Sequence, residues 1–164
     1  MKTSNFRSRF EREISEALTK AEVMHEYETE KLYYRLPDSN IEHVYTPDFS
    51  FPESSIVIEV KGWPFKKKER NKYRLVKKQN PEIDLRFIFQ DAALRIYGKT
   101  GPTFGEWARK YGFKWSSRNI PDSWITEILE HQECHQRANG LGNFLMMKAQ
   151  RGTLRGNLGQ LRVD

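Results

Sequence analysis

Tyr45-Thr46-Pro47-Asp48-Phe49 and, ten residues beyond its aspartate, Ile58-Glu59-Val60-Lys61-Gly62 decide how the chain is read. Side chains along an extended strand alternate faces, so over Ile56 to Lys61 the pair Glu59 and Lys61 shares one side, while Ile56, Ile58 and Val60 share the other. A carboxylate and an ammonium therefore lie on one polar face of an otherwise apolar strand. With the Asp48 segment as its antiparallel neighbour, Asp48, Glu59 and Lys61 come together. They form the set needed to bind a hard divalent cation and hold a water beside it. That is a phosphodiesterase site in outline.

Working outward, Pro47 removes a ladder donor from the strand His43 to Phe51 and predicts an edge or bend at Asp48. Lys66 to Gln79 reads as a helix, with Tyr73, Val76 and Leu75 inward and Lys/Arg on its other faces, stopped by Pro81. Leu85 to Phe89 reads as a buried strand, so strand, helix and strand form a βαβ unit whose strands run parallel. Upstream, Phe10, Ile14, Ala17, Leu18 and Ala21 recur at helical spacing from about Ser8 to Val23, with Glu11 in the first turn. His25 to Leu36 is rich in strand formers, and residues 36–40 read as a turn or linker. Downstream, Ala93 to Tyr97 is a short strand, Thr103-Phe104-Gly105-Glu106 is a capping box opening a helix to Gly112, and Pro121 opens a last helix carrying Trp124, Ile125, Ile128 and Leu129. The predicted fold class is α/β, a mixed central sheet flanked by helices. It forms one domain over residues 1–130, followed by a basic, glycine-containing, partly mobile tail over 131–164 with a short helix around Phe144-Leu145-Met146-Met147.

A chain of 164 residues with 37% hydrophobic and 13% aromatic content can bury a real core. No apolar run approaches the roughly 20 residues of a membrane span, and Met1-Lys2-Thr3-Ser4-Asn5 lacks the apolar core of a signal peptide, so a soluble, cytoplasmic protein is expected. The net charge of +6 is unevenly spread. Lys61 to Lys78 holds nine Lys/Arg against Glu69, whereas Glu11 to Glu30 holds seven glutamates against Arg12 and Lys20. An acidic element beside a strongly basic one suits a metal site laid along a polyanion. The cations read as contacting DNA are Arg7, Lys66, Lys67, Lys68, Arg70, Lys72 and Arg74. Cys134 is the single cysteine, so no disulfide framework is available, and His131, Cys134 and His135 lack a fourth ligand for zinc.

Phosphodiester hydrolysis needs an in-line nucleophile, neutralisation of the equatorial oxygens and help for the leaving alkoxide. Asp48 and Glu59 offer hard oxygen ligands for Mg²⁺, and the backbone carbonyl of Val60 adds another. Lys61 is placed to orient or deprotonate the attacking water. A third carboxylate would help to hold a second metal, and Glu11 and Glu13 are both candidates by spacing.

Six stretches carry a wider resemblance: Phe6-Arg7-Ser8-x-x-Glu11; Tyr45-Thr46-Pro47-Asp48-Phe49; Glu59-x-Lys61-Gly62; Pro81-Glu82-x-Asp84-x-Arg86 followed by Ile88-Phe89; Tyr111-Gly112-x-Lys114; and Ile120-Pro121-x-x-Trp124-Ile125. In this order, over about residues 6 to 128, they resemble the phage T-seven endonuclease I family of Holliday-junction resolvases. The resemblance implies a PD-(D/E)xK nuclease fold in a domain-swapped homodimer that cuts four-way and other branched DNA by paired nicks. Its implied cofactor is Mg²⁺, with Mn²⁺ as a substitute, one or two ions per site and no small-molecule cofactor. It also implies that the third carboxylate is Glu11, a catalytic and metal-binding residue from one subunit, while Asp48, Glu59 and Lys61 come from the other and residues 32–44 form the bridge between them. A phage-encoded protein of this kind would work in the host cytoplasm. Only five residues precede the Phe-Arg-Ser motif, where the family has a longer basic arm. Two other readings stand beside this one, a non-catalytic architectural protein of DNA junctions and a restriction- or repair-type nuclease acting on linear duplex.

Overall fold

A computed structural model of the chain describes residues 6–138. Ser8, whose side chain accepts from the Glu11 N–H, caps helix α1 (Arg9–Lys20), and Ile14 and Leu18 lie on its buried face. Then come β1 (Glu26–Tyr27), β2 (Leu32–Arg35), β3 (Glu42–Tyr45), β4 (Phe49–Ser50) and β5 (Ile56–Lys61). Helix α2 (Lys67–Gln79) leads to β6 (Asp84–Phe89), followed by β7 (Arg95–Tyr97), β8 (Thr100–Thr103), α3 (Phe104–Lys110) and β9 (Trp115–Ser117). The expected Thr103/Glu106 capping box opens α3. A last helix, α4, spans 122–138.

The central sheet has the order β1-β4-β5-β6-β9. Its first two junctions are antiparallel, and β5-β6 and β6-β9 are parallel, so the β5-α2-β6 unit is the βαβ unit read from the sequence. Alternation along β5 and β6 sorts the core into two. Val57, Leu85, Phe87 and Phe89 pack with Tyr73 and Val76 of α2 and Phe104 and Trp107 of α3. Ile56, Ile58, Val60 and Ile88 pack on the other face with Ile14 and Leu18 of α1 and Trp124 and Ile128 of α4. The sheet is thus covered on both faces, as its near-continuous apolar central strands require.

Two expectations need correction. The domain was expected to end at 130, but α4 runs on through 131–138, where buried Gln132 donates to the Met24 carbonyl (2.7 Å) and accepts from its N–H (3.3 Å). The short helix expected at 144–147 lies outside the described residues. Arg70 is not on a solvated face of α2: it falls three residues before Tyr73 on the inward stripe, is buried, and donates to the Phe65 carbonyl and to the Tyr97 hydroxyl (2.6 Å). Arg86, on an alternating strand, lies on the face toward α4, is 0% exposed, and is held by Asp84 and Glu127, each at 2.7 Å, with its guanidinium over the Trp124 ring.

The segment expected to bridge two subunits, 32–44, closes on its own chain. β2 and β3 pair antiparallel from Leu32↔Tyr45 to Arg35↔Glu42 around a turn in which the Ser39 N–H donates to the Leu36 carbonyl and Asp38 has φ of 61°. As a result α1 packs against β4 and β5 of the same chain.

Candidate active site

The site begins where β4 stops. β4 pairs with β5 only at Phe49↔Ile58 and Ser50↔Val57. Continuing that register would set Pro47 opposite Val60, but the chain turns away at Pro47-Asp48. The Val60 N–H would then be left without an acceptor, a costly condition for a buried donor. The Asp48 carboxylate takes it, with Oδ2 accepting at 2.7 Å. The bend read at Pro47 thus plants a buried carboxylate on the edge of β5.

Glu59 faces the α2 layer and is also buried. Its Oε2 accepts from the Tyr45 hydroxyl at 2.6 Å and its Oε1 from the Tyr73 hydroxyl at 2.5 Å. The Lys72 ammonium lies over both tyrosine rings, 4.6 Å and 4.5 Å from their centroids. Lys61 ends the strand with its Nζ on Glu69 Oε1 at 2.5 Å, while Glu69 Oε2 accepts from the Lys66 N–H at 3.0 Å. Glu69 therefore ties Lys61 to the first turn of α2.

Electrostatics mark the two carboxylates. Burial, then the charge of Glu59, pushes Asp48 up to about 8 against the opposing Val60 N–H, and Glu11 and Glu28 add to the rise. Burial also raises Glu59, although both tyrosine hydroxyls, Lys72 and Lys61 pull the other way. Burial lowers Lys72 despite the carboxylates beside it. Glu69 is desolvated too, but the bond from Lys61 and the N–H of Lys66 hold it below the ordinary range. Two acids that resist ionisation until something positive compensates them are typical of a site that takes a cation.

Glu11 reaches this region from the opposite face. It is buried; Oε1 accepts from Ser8 Oγ at 2.8 Å, and Oε2 accepts from Tyr27 Oη at 2.5 Å and the Arg7 N–H at 3.1 Å. Burial, and next the bond to Glu11, raise the Tyr27 phenol above its ordinary value. Glu11 both accepts from the Ser8 hydroxyl that caps α1 and is a negative charge felt by Asp48 of its own chain. Glu13 instead pairs with Arg9 on the surface. Among the described residues no three His, Cys, Asp or Glu side chains converge as a metal cage; the charges of Glu59 and Glu11 are both felt at Asp48. His131 and His135 contact Ser54 and Glu53, at 3.1 Å and 3.0 Å.

The expected DNA-binding cations divide. Lys66, Lys67, Lys68 and Arg74 are exposed along α2, with Arg74 stacked on Tyr111. Arg7 is exposed but paired with Glu28 at 2.8 Å. Lys72 turns inward toward the carboxylates and Arg70 is buried. Sequence reasoning missed Tyr27, Tyr45, Tyr73 and Glu69. Tyr45 lies within the motif and Tyr73 reads as a core residue, but a phenol's polar end counts only once its acceptor is located.

The model of the phage endonuclease I family matches residues 1–138 of the chain. The chain is 36% identical to endonuclease I of Escherichia phage T7 over 126 residues, 77% of this chain and 82% of that protein. It is 34% identical to endodeoxyribonuclease 1 of Enterobacteria phage T3 over 123 residues, 74% and 78% of the two chains.

Proposed function

Because this chain belongs to the phage endonuclease I family, we propose that it is a Mg²⁺-dependent DNA endonuclease. Its substrates are four-way junctions and other branched DNA, and the fold is of the PD-(D/E)xK nuclease type. The names of both relatives specify an endonuclease, one of them an endodeoxyribonuclease. The observation that carries the reading is the buried pair of Asp48, at the bend before β4, and Glu59 of β5, with Lys61 near Glu59.

Their chemistry fits Mg²⁺, or Mn²⁺ in its place, because the donors are hard carboxylate oxygens with neither imidazole nor thiolate among them. Mg²⁺ commonly binds through one or two carboxylates and keeps its waters, so a third carboxylate is not required. Asp48, Glu59 and the Val60 carbonyl would hold the ion. Bound there, the metal supplies Lewis-acid stabilisation of the phosphoryl oxygens and acidifies a coordinated water. Tyr45 and Tyr73 fix the orientation of the Glu59 carboxylate. Glu69 occupies one of the three N–H donors of Lys61, leaving two for a water and a phosphate oxygen. Glu11, hydrogen-bonded on both oxygens, contributes charge beside Asp48 and fixes the start of α1. Lys66, Lys67, Lys68 and Arg74 line an exposed face along which a DNA backbone would lie.

A homodimer of exchanged subunits follows from opening the β2–β3 hairpin at residues 36–40. Its outward Tyr33, Leu36, Ile41 and Val44 are exposed apolar groups that a partner would cover. Exchange would remake the same contacts between chains, with Glu11 then facing the partner's carboxylates.

The test is a labelled four-way junction and a linear duplex of matched sequence, each with Mg²⁺ or with chelator. Metal-dependent paired nicks at the junction support the proposal. Cutting of the duplex alone would point to a restriction-type enzyme, and binding without cutting to an architectural protein.

A further inference from the structure

A cleft of about 470 Å³ opens past the C-terminal ends of β5, β6 and β9, walled by Phe10, Trp63 and Leu94 and edged by Gln90, Asn119 and Arg118. Two of its walls continue the segments of the site: Phe10 immediately precedes Glu11, and Trp63 stands two residues after Lys61. Its floor is fastened to the end of β5, since the Gln90 N–H donates to the Lys61 carbonyl at 2.9 Å. The Gln90 side-chain oxygen also sits so close to Gly62 that a Cβ there would stand 2.9 Å from it.

Trp63 is the most exposed aromatic among the described residues, at 61%. One face of the indole rests parallel on Phe104, with 7° between the planes and 6.3 Å between centroids. More than half of the ring is thus left open next to the catalytic strand, an unusual place for a large apolar side chain unless it meets a ligand. The rim argues for the kind of ligand. Glu13, paired with Arg9, and Asp91, which accepts the Ala93 N–H at 2.9 Å, offset the Arg118 charge, so the cleft does not favour a phosphate. A flat apolar wall with carboxamides at its edge suits a neutral planar ring with hydrogen-bonding edges.

We propose that this cleft is a nucleobase subsite: a base unstacked at the branch, next to the phosphate to be cut, lies on Trp63 with its edge toward Gln90 and Asn119. Proteins that handle unpaired nucleotides use aromatic platforms in this way. The assignment rests on the nuclease reading, and its test keeps the two apart.

Binding of four-way junctions is measured by fluorescence anisotropy in chelator, using an intact junction and one with abasic nucleotides flanking the branch, for wild type, Trp63→Ala and Trp63→Phe. Trp63→Ala is expected to weaken the intact junction roughly five- to hundred-fold, the usual worth of one stacked base, and Trp63→Phe to recover most of it. The abasic junction should bind wild type as weakly, with no further loss on Trp63→Ala. Equal weakening of both junctions, or no effect on either, overturns the subsite. Should Trp63→Ala not fold, wild type and Trp63→Phe binding the abasic and intact junctions alike overturns it as well. Mg²⁺-dependent cutting by wild type is scored separately: its absence with the coupling intact sinks the nuclease reading alone, and its presence without coupling sinks the subsite alone.

Discussion

Removing one phenolic oxygen, by Tyr73→Phe or Tyr45→Phe, should convert a hydrogen bond that serves a buried carboxylate into a pH-dependent defect. Both donors reach Glu59 within 2.6 Å and favour its ionised form against the burial that raises it. A hydrogen bond to a charged group contributes roughly 1.5–3 kcal/mol. At about 1.36 kcal/mol per pH unit, that loss moves the acid limb of the cleavage profile upward by about one to two pH units, because a protonated Glu59 cannot serve as a ligand. Activity should fall on the acid side of the profile, by up to roughly 10- to 100-fold where Glu59 is mostly protonated in both wild type and variant, and recover toward wild type as pH rises. Stability carries a matching sign. Glu59 is already raised in the folded chain, so its protonated form favours folding below the ordinary carboxylate range and that contribution is lost as pH rises. Each variant, with Glu59 raised further, should lose more stability than wild type as pH rises through the Glu59 titration. Cleavage of a four-way junction at saturating Mg²⁺ between pH 5.5 and 9, with urea melts over the same range, measures both. Profiles that superimpose on wild type, or activity lost equally at every pH, would refute the reasoning.

Asp48→Asn should keep the bond to the Val60 N–H and abolish cutting. In chelator, wild-type stability should fall by up to about 1.4 kcal/mol per unit as pH rises from about 4 to about 8, the range between its unfolded and folded titrations. The variant should lack much of that slope, and Mg²⁺ should raise the melting temperature of wild type alone. Glu69→Gln should weaken the hold on Lys61 while leaving an acceptor for the Lys66 N–H, lowering kcat more than junction affinity, as single-turnover cleavage and anisotropy would report. Arg86→Met should destabilise by about 2–3 kcal/mol, less than for a fully buried pair because Asp84 and Glu127 stay partly solvated and keep Lys114 nearby. The Arg86 bonds hold both carboxylates below their ordinary range, so the difference from wild type should shrink as pH falls below about 4, visible in urea melts.

Periodicity was enough to read β5, the parallel βαβ unit, α1 and the capped α3, because each depends on local alternation or spacing. Asp48, Glu59 and Lys61 could be grouped for the same reason, since strand geometry alone puts the last two on one face. Arg86 could not be placed, because its neutralising partners lie on β6 and on α4, about 40 residues apart in sequence. The continuation of α4 was hidden by a polar stretch whose one buried member, Gln132, is satisfied by Met24. Arg70 and Lys72 read as surface charges because a basic helix hides which of its cations the aromatic groups of the core will claim. The closed hairpin of 32–45 was also beyond the sequence, which is compatible with strands paired within one chain or between two.

The two-sided core has one more consequence. Glu11 is carried by the layer on one face of the sheet, and Lys72 and Glu69 by the layer on the other, while Glu59 rides on β5 and Asp48 on the bend before β4 between them. The layers share no apolar contact network except through the strands themselves. A cavity cut into either layer, such as Leu18→Ala or Val76→Ala, would let that layer settle by a fraction of an ångström relative to its counterpart. Alignment of reacting groups tolerates far less error than folding does. Catalytic rate should therefore record slippage between the layers well before the melting temperature does.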